Sequence, residues 1–551
     1  MQYQVTNRRL EVDIEDSADF VDFSENLYIS QVQKDLLTGE EHVTVVIQFP
    51  NYDFSISIAR EVICGRIIAT LAKYGFSCVD NAQNNEVVQV VLFESEATAK
   101  KAFFHKVLGF AKDANGVEFF LHHHPVGISN AQKSLSVYVN ESDIEPRGSF
   151  AEWKAGVKHL VYQRGQMELA LAIGAVAPIA HILLEDKVIT ELPLIALIGE
   201  TTSGKTTSLI VGASLWFSQA LIADFNCTQN AFIAQLSQSR GLPMFVDEAS
   251  AVPDWKFDNL LYNLPKGKSK LRCKSDGTLQ ERKVFSGCVI FTGETSLFKQ
   301  ASNNRGMEAR LLELNLVWTE DEEHAENIAE YFSQHYGVAT QPLVQWLLAN
   351  KSEVKDLYIG CYNSFRQSCS SFTQDRVMKR LLKIPAMIIT AANVLNKALG
   401  LQLNEQTLVD TLTNIMQEKV NASKNDPAVW YEAIKNYILS HRGKFPQNED
   451  VAKKDSLWGF CGHYKMVNKI AWIRQDVFEA LISDITNIPL SDAKKLLAEK
   501  KYILHTSSRH YIVSQKIGDC HVQCYGVFLT YPPKSLNRKE VKRTSSPLSE
   551  D

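Results

Sequence analysis

The eight residues Gly199–Thr206, GETTSGKT, carry the densest chemistry in the chain. They fit G-x-x-x-x-G-K-[ST], the spacing with which a backbone wraps a polyphosphate. Glycines let the main chain approach phosphate, and free N–H groups at a helix start hold negative charge. On this reading Gly199, Glu200, Thr201, Thr202, Ser203, Gly204, Lys205, Thr206 and Thr207 cradle a nucleotide. Lys205 reaches the β- and γ-phosphates, and Thr206 holds magnesium. The chain is thus expected to bind ATP with Mg2+.

Such a loop needs a carboxylate on a second strand. GLPMFVDEAS supplies it: apolar Met244-Phe245-Val246 ends in Asp247-Glu248, 42 residues after Lys205. Asp247 is the expected metal-side residue, and Glu248 the base that orients and deprotonates water. A third apolar run, Gly287–Phe291, ends in Thr292, the expected polar sensor of the γ-phosphate or the water. In NNRGMEARLLELNL, Arg310 precedes another apolar run, where ring ATPases place an arginine that reaches into a neighbour's site; Arg305 is its rival. Arg376 and Arg380 are candidates for a nucleotide-sensing arginine further on.

Between the carboxylate strand and Thr292 lies KGKSKLRCKSDGTLQERKVFSG. Residues 266–283 hold seven cations against two anions, leaving a local +5. The SDGT turn between two extended arms predicts a β-hairpin. Hexameric helicases place their pore loop here, so Lys266, Lys268, Lys270, Arg272 and Lys274 are the expected DNA-phosphate contacts. A solvated charged hairpin is the alternative reading.

These residues need elements to position them. The run Leu194–Ile198 reads as a buried strand entering the loop, and Thr207–Val211 as the helix leaving it. LALAIGAVAPIAHILL (169–184) is apolar, but at 16 residues between Glu168 and Glu185 it is short for a membrane span. It predicts a buried core helix, with no membrane partner. VTVVIQF (43–49) and VVQVVLF (87–93) have strand character, and 58–75 has helical periodicity ending at a glycine cap. The expected fold is α/β, a P-loop ATPase core flanked by smaller domains. Its expected divisions are an N-terminal α+β domain (1–147), the core (148–320), a helical lid or connector (321–425), a C-terminal winged-helix-like domain (426–531) and a disordered tail (532–551).

The chain has room for several domains in its 551 residues, and its 45% hydrophobic content is that of a buried globular protein. A net charge of −5 announces no global affinity for nucleic acid, so any such site must be local. Ten scattered cysteines form no disulfide framework and point to a reducing cytoplasm. The polar, acidic N-terminus does not read as a signal peptide.

Residues 476–513 read as helix, turn, helix and β-hairpin, a winged-helix pattern. Lys494, Lys495, Lys500, Lys501 and Arg509 are its candidate phosphate contacts. Cys520, His521 and Cys524, even joined by Cys461 and His463, fit no standard zinc spacing, so buried cysteines are expected instead. His122-His123-His124 reads as a polar loop end rather than a metal site.

The motifs together resemble a known family: the ATPase domain of unknown function of phage, plasmid and other mobile-element primase–helicases. Residues 148–183, with Gly148, Trp153, Ala170 and Pro178, resemble its lead-in helices. GETTSGKTTSLIVGASLW, VDEAS, NLPKGKSKLR and FTGETSL resemble its later blocks. Phe225 stands where the family has tryptophan, although Thr228-Gln229-Asn230 is kept. The segment before the hairpin is reduced to Pro265–Lys268. The chain also resembles the MCM-like replicative helicases of staphylococcal cassette chromosome elements. The resemblance implies an AAA+ fold and a hexameric, ATP-driven DNA helicase with DNA in its central pore. An origin loader or a regulatory or defence switch shares every nucleotide motif and is the alternative. No primase metal-carboxylate block stands in residues 1–145.

Overall fold

The computed structural model describes residues 2–6, 9–14, 17–20, 26–139, 144–224, 229–249, 263–269, 271, 273, 278–279, 282–297, 309–370, 376–424, 426–441, 444–445, 462–465, 470–486, 488–505, 511–517 and 520–529. The tail 532–551 expected to be disordered lies outside them. The chain divides into two compact units, residues 1–412 and 413–551.

The first unit opens with an antiparallel sheet of β1 (Gln2–Thr6), β2 (Arg9–Ile14) and β3 (Ser17–Phe20). Next come β4 (Asn26–Asp35), β5 (Glu41–Gln48), β6 (Asp53–Ala59) and β7 (Lys100–His105). The chain leaves for another sheet through β8 (Leu108–Lys112) and β9 (Glu118–Leu121), then returns as β10 (Val137–Tyr138). The resulting five-stranded sheet has the order β10-β7-β4-β5-β6.

VVQVVLF, expected as a strand, lies instead in the helix Ala82–Glu96. Asn81 caps that helix by accepting from the Asn84 N–H, and Val87, Val88, Val91 and Leu92 bury one face. Helical spacing of the valines and a good N-cap outweigh their β-propensity. The helical segment expected over 58–75 is broken into Arg60–Ile63, Ile67–Leu71 and a short 3₁₀ turn, ending at left-handed Gly75.

The central sheet contains β11 (Leu194–Ile198), β12 (Ala223–Asp224), β13 (Ser239–Asp247), β14 (Ser286–Gly293) and β15 (Leu311–Asn315). Its order is β15-β11-β14-β13-β8-β9, with β12 also paired to β13. The pairings among β11–β15 are all parallel. All five residues of β11 are buried, as a parallel strand covered on both faces requires.

The boundary expected at 147 does not separate the sheets, because β8 pairs with β13 at Ser239 and Arg240. A Cβ on Gly109 would fall 1.8 Å from the Arg240 carbonyl oxygen, so only glycine admits this approach. Phe110, Phe119, Phe120 and Leu121 leave the β8–β9 hairpin apolar on both faces, and the central sheet gives it cover.

The apolar stretch 169–184 forms two helices, Met167–Gly174 and Val176–Glu185. The segment Met167–Glu185 is long and apolar enough to cross a membrane, and 89% of it is buried inside the protein. Gly174 and Gly212 let its first helix touch the helix Lys205–Ala213: a Cβ on Gly174 would meet Gly212 Cα at 2.6 Å. Trp216 fastens the crossing by donating from Nε1 to the Gly174 carbonyl at 2.8 Å. The helix Lys383–Leu399, expected in a separate connector, packs on both of these helices.

In the second unit the helices Pro427–Ser440, Gln475–Ile485 and Leu490–Glu499 accompany four strands. These are β16 (Gly462–Lys465), β17 (Ile470–Arg474), β18 (Ile512–Ile517) and β19 (Cys520–Phe528), in the antiparallel order β16-β17-β19-β18. Trp430, Ile434, Phe478, Ile482, Leu497 and Tyr525 fill its core. The division between the units falls inside the helix Glu405–Lys424, before the boundary expected at 425.

Candidate functional site

β11 delivers the chain directly into the glycine-rich loop. Gly199 closes the entry by donating its N–H to the Gly293 carbonyl at the end of β14, at 3.2 Å. Gly204 stands at φ 82° as the N-cap of the helix Lys205–Ala213. A Cβ there would meet Thr319 Oγ1 at 2.6 Å, so both backbone angle and space demand glycine. The Trp318 N–H donates to the Ser203 carbonyl at 2.8 Å, seating the segment after β15 on the loop.

The Lys205 ammonium donates to the carbonyls of Gly199 at 2.9 Å and Glu200 at 2.6 Å. Partial burial pulls its pKa down, against the opposing charges of Glu294 and Asp247. Thr206 donates from Oγ1 to Asp247 Oδ2 at 2.9 Å. The other oxygen of Asp247 accepts from the Thr292 hydroxyl. The Glu248 N–H donates to Thr292 Oγ1 at 2.9 Å and to Asp247 Oδ1 at 3.1 Å. Thus the sheet order, which sets β14 between β11 and β13, brings Thr206, Asp247, Glu248 and Thr292 together.

Glu248 adopts φ 55°, a strained angle for a residue with a side chain. The turn is held by its own N–H contacts to Thr292 and Asp247, and it starts the chain in a new direction at the strand end.

These residues line an open cleft of about 850 Å³ together with Thr201, Thr202, Gly204 and Thr207. The sequence reading missed the rest of its wall: Glu294, Val317, Thr319, Glu320, Asp321, Glu322 and Ala325. Glu294 accepts from the Thr201 hydroxyl at 2.7 Å and pins the top of the loop. Asp321 caps the helix Glu322–Gln334 by accepting the His324 N–H. An Asp followed by two glutamates before a periodic segment is a legible helix start, but nothing in it signals proximity to the loop. Lys205 is the one lysine or arginine among the described lining residues, against six carboxylates. Thr206 and Asp247 offer adjacent oxygens of the kind magnesium takes, and the loop offers N–H groups for phosphate.

Arg310 lies elsewhere. β15 runs parallel to β11 with Leu311 beside Leu194, so Arg310 sits at the strand end opposite the loop. By strand rise that is about 15 Å from the loop of its own chain. Its Nε is 3.3 Å from Glu191 Oε1, and Arg380 donates to Glu191 Oε2 at 2.7 Å. Glu191 was not singled out in the sequence; shared by two arginines, its carboxyl is held below its ordinary pKa despite partial burial. Arg305 and the side chain of Arg376 lie outside the described residues.

The described residues of the basic segment pair as two antiparallel arms. Lys268 pairs with Val284 and Cys273 with Leu279, each pair equidistant from Asp276. Ser269 and Lys283 share the same register through a 2.9 Å bond from the Ser269 N–H to the Lys283 carbonyl. Lys266, Lys268, Arg282 and Lys283 are exposed, as are Leu271 and Leu279. Lys270, Arg272 and Lys274 lie outside the described residues.

In the second unit, Lys494 is not available as a phosphate contact. It donates to Tyr525 Oη at 3.2 Å and pairs with Glu479 at 3.5 Å, and only 19% of its side chain is exposed. Lys495, Lys500 and Lys501 are exposed, and Arg509 lies outside the described residues. Cys524 is buried beside Trp472 and Val513, with its thiol pushed up to about 12. In register His463 stands beside Trp472, which faces Gly526, six residues along β19 from Cys520, so the residues considered for zinc are spread along the sheet. Cys461 lies outside the described residues. His122 is buried, its pKa pushed down to about 4, and His124 contacts the Ser136 carbonyl at 3.0 Å.

The fold resembles a solved structure described as the active helicase Cch of SCCmec type IV, with TM-score 0.62 and 19% identity, over 95% of this chain and 96% of that one. Two solved structures of the NrS-1 C-terminal region are 10% identical, with TM-scores of 0.25 and 0.26, over 69% and 91% of this chain and 89% and 96% of theirs. A search of curated proteins finds no match. Residues 8–284, half of the chain, match a family of proteins sharing one domain. The chain belongs to that family, described as the domain of unknown function DUF927.

Proposed function

We propose that the protein is an ATP-driven DNA helicase of mobile-element type, MCM-like and ring-forming. The observation that carries this reading is the double engagement of Asp247 by Thr206 and Thr292. It joins the glycine-rich loop, the carboxylate strand and the strand between them in one polar cluster. The parallel order β15-β11-β14-β13, with β12 beside β13, supports an AAA+ core.

In this reading the loop N–H groups and Lys205 bind the phosphates of ATP. Magnesium, held by Thr206 and Asp247, would neutralise phosphate charge. Glu248 takes the proton of the attacking water, and Thr292 holds Asp247 and Glu248 in place. Among the described lining residues, six carboxylates, of which Glu320 is paired with Arg164, against one ammonium leave the cleft short of positive charge for a triphosphate. Arg310, remote from its own loop, would supply that charge to a neighbour's cleft on leaving Glu191, against which it is largely buried here. The ring is therefore part of the proposal, as is the grip of the hairpin lysines on DNA. The order helix, β16, β17, helix, helix, β18, β19 supports a winged helix in the second unit.

Steady-state ATP hydrolysis with and without single-stranded DNA tests the reading. A motor accelerates when DNA is added, and Glu248→Gln abolishes both rates. Hydrolysis indifferent to DNA would favour a loader or switch.

A further inference from the structure

At the sheet end opposite the glycine-rich loop, beside the start of β14, His181 is 5% exposed on the helix Val176–Glu185. Its ring stacks on Phe110, with centroids 4.4 Å apart and planes at 2°. Nδ1 meets Ser286 Oγ at 2.6 Å. Nε2 is buried and has no hydrogen-bond partner among the described residues. Two carboxylates lie beside the ring: one ligand atom each of Glu118, His181 and Glu185 all lie within 4.8 Å of one another.

In the tautomer that donates from Nδ1 to the Ser286 hydroxyl, the imidazole presents a lone pair at Nε2. A buried lone pair near carboxylate oxygens is unfavourable unless a proton or a metal ion lies between them. The serine contact also fixes the ring, as outer partners of metal-bound histidines do. We propose that Glu118, His181 and Glu185 bind one divalent transition-metal ion, which clamps the β8–β9 hairpin to the helix Val176–Glu185. One imidazole and two carboxylates suit zinc or manganese and lack the thiolates of soft-metal sites.

Three other cations face the cluster. Lys112 pairs with Glu185 at 3.1 Å and with Glu118 at 3.8 Å, and Lys351 pairs with Glu118. Arg240 adds its charge to the surroundings of His181. The two ammoniums compete with the ion for the carboxylates. Both are partly exposed, so each can turn out to solvent when metal enters. The carboxylates must also close in, since zinc takes donors at about 2.0–2.2 Å.

The test is zinc and Co2+ titration of the full-length protein without nucleotide, read by bound-metal analysis and by the visible absorbance of Co2+. Wild type should bind one more equivalent than Glu185→Gln, and Asp247→Asn should retain that equivalent. Lys351→Ala, by removing a competing charge, should tighten binding by about tenfold, and zinc should then raise its melting temperature more than that of wild type. His181→Ala should lose the cobalt spectrum; if it does not fold, Glu185→Gln and Lys351→Ala decide alone. Equal metal content in wild type and Glu185→Gln, or weaker binding by Lys351→Ala, would overturn the proposal and leave an ion-paired cluster.

Discussion

Thr206 donates its hydroxyl proton to Asp247 across 41 residues of chain, at 2.9 Å. The contact ties the first turn of the helix leaving the glycine-rich loop to the end of β13. β14 lies between the two strands and reaches the same carboxylate through Thr292. In the proposed mechanism hydrolysis depends on each of these residues in a different way.

Glu248→Gln should bind ATP as wild type does and lose turnover by about 10²–10⁴-fold, since only the proton acceptor is removed. Thr292→Val should also slow hydrolysis. It additionally removes the 2.9 Å acceptor of the Glu248 N–H, which keeps only its 3.1 Å contact to Asp247, at a stability cost of about 0.5–1.5 kcal/mol. Nucleotide-binding fluorescence, single-turnover hydrolysis and urea denaturation check the three expectations. Wild-type turnover by Glu248→Gln would remove it from the base role.

Arg310→Ala should bind ATP but hydrolyse it poorly. Because Arg310 sits at the sheet end opposite its own loop, mixing this protein with Lys205→Ala should restore part of the activity. Mixed interfaces then pair an intact lysine with an intact arginine. No recovery at any mixing ratio, with rings still forming, would confine Arg310 to its pairing with Glu191.

Lys268 and Lys283 are exposed on the hairpin arms, away from the cleft-lining residues. Replacing both by alanine should spare basal hydrolysis and reduce DNA-stimulated hydrolysis. The salt dependence of single-strand binding should flatten by about 0.7 log units per log salt for each phosphate that the variant no longer neutralises. An unchanged slope with normal stimulation would make the hairpin a solvated face.

His105 and His122 are buried neutral, each with its pKa pushed down to about 4, mainly by burial. A depressed histidine pKa means that the unfolded chain takes up the proton first. The stabilisation is complete above the ordinary value of about 6.5 and is lost as pH falls towards 4. Urea midpoints should therefore drop between pH 7 and pH 5, and less so in His122→Asn. Equal pH dependence in both proteins would show that His122 is not a source of the acid sensitivity.

The cleft was legible where local pattern and chemistry coincide. The five-residue apolar run of β11, the loop glycines and the carboxylates ending β13 announce themselves, and the structure brings them together. Glu294, Val317 and Glu320 were not legible, because they reach the cleft through sheet order and the seating of Trp318 on Ser203, which are long-range facts. The Arg310–Glu191–Arg380 pairing spans 189 residues and leaves no periodic trace. The β8–β9 hairpin reads as part of the N-terminal strands; only the bare backbone of Gly109 hints that another chain segment lies against it. Valines at 87–91 satisfied strand and helix alike, and the Asn81 cap decided between them.

The most direct test of the central claim is strand displacement on a labelled forked DNA duplex. With ATP and magnesium, the wild-type protein should separate the strands, while Lys205→Ala and Glu248→Gln should not, and the Lys268→Ala/Lys283→Ala protein should do so slowly. An intact duplex with wild-type protein that hydrolyses ATP and binds the fork would contradict the helicase reading.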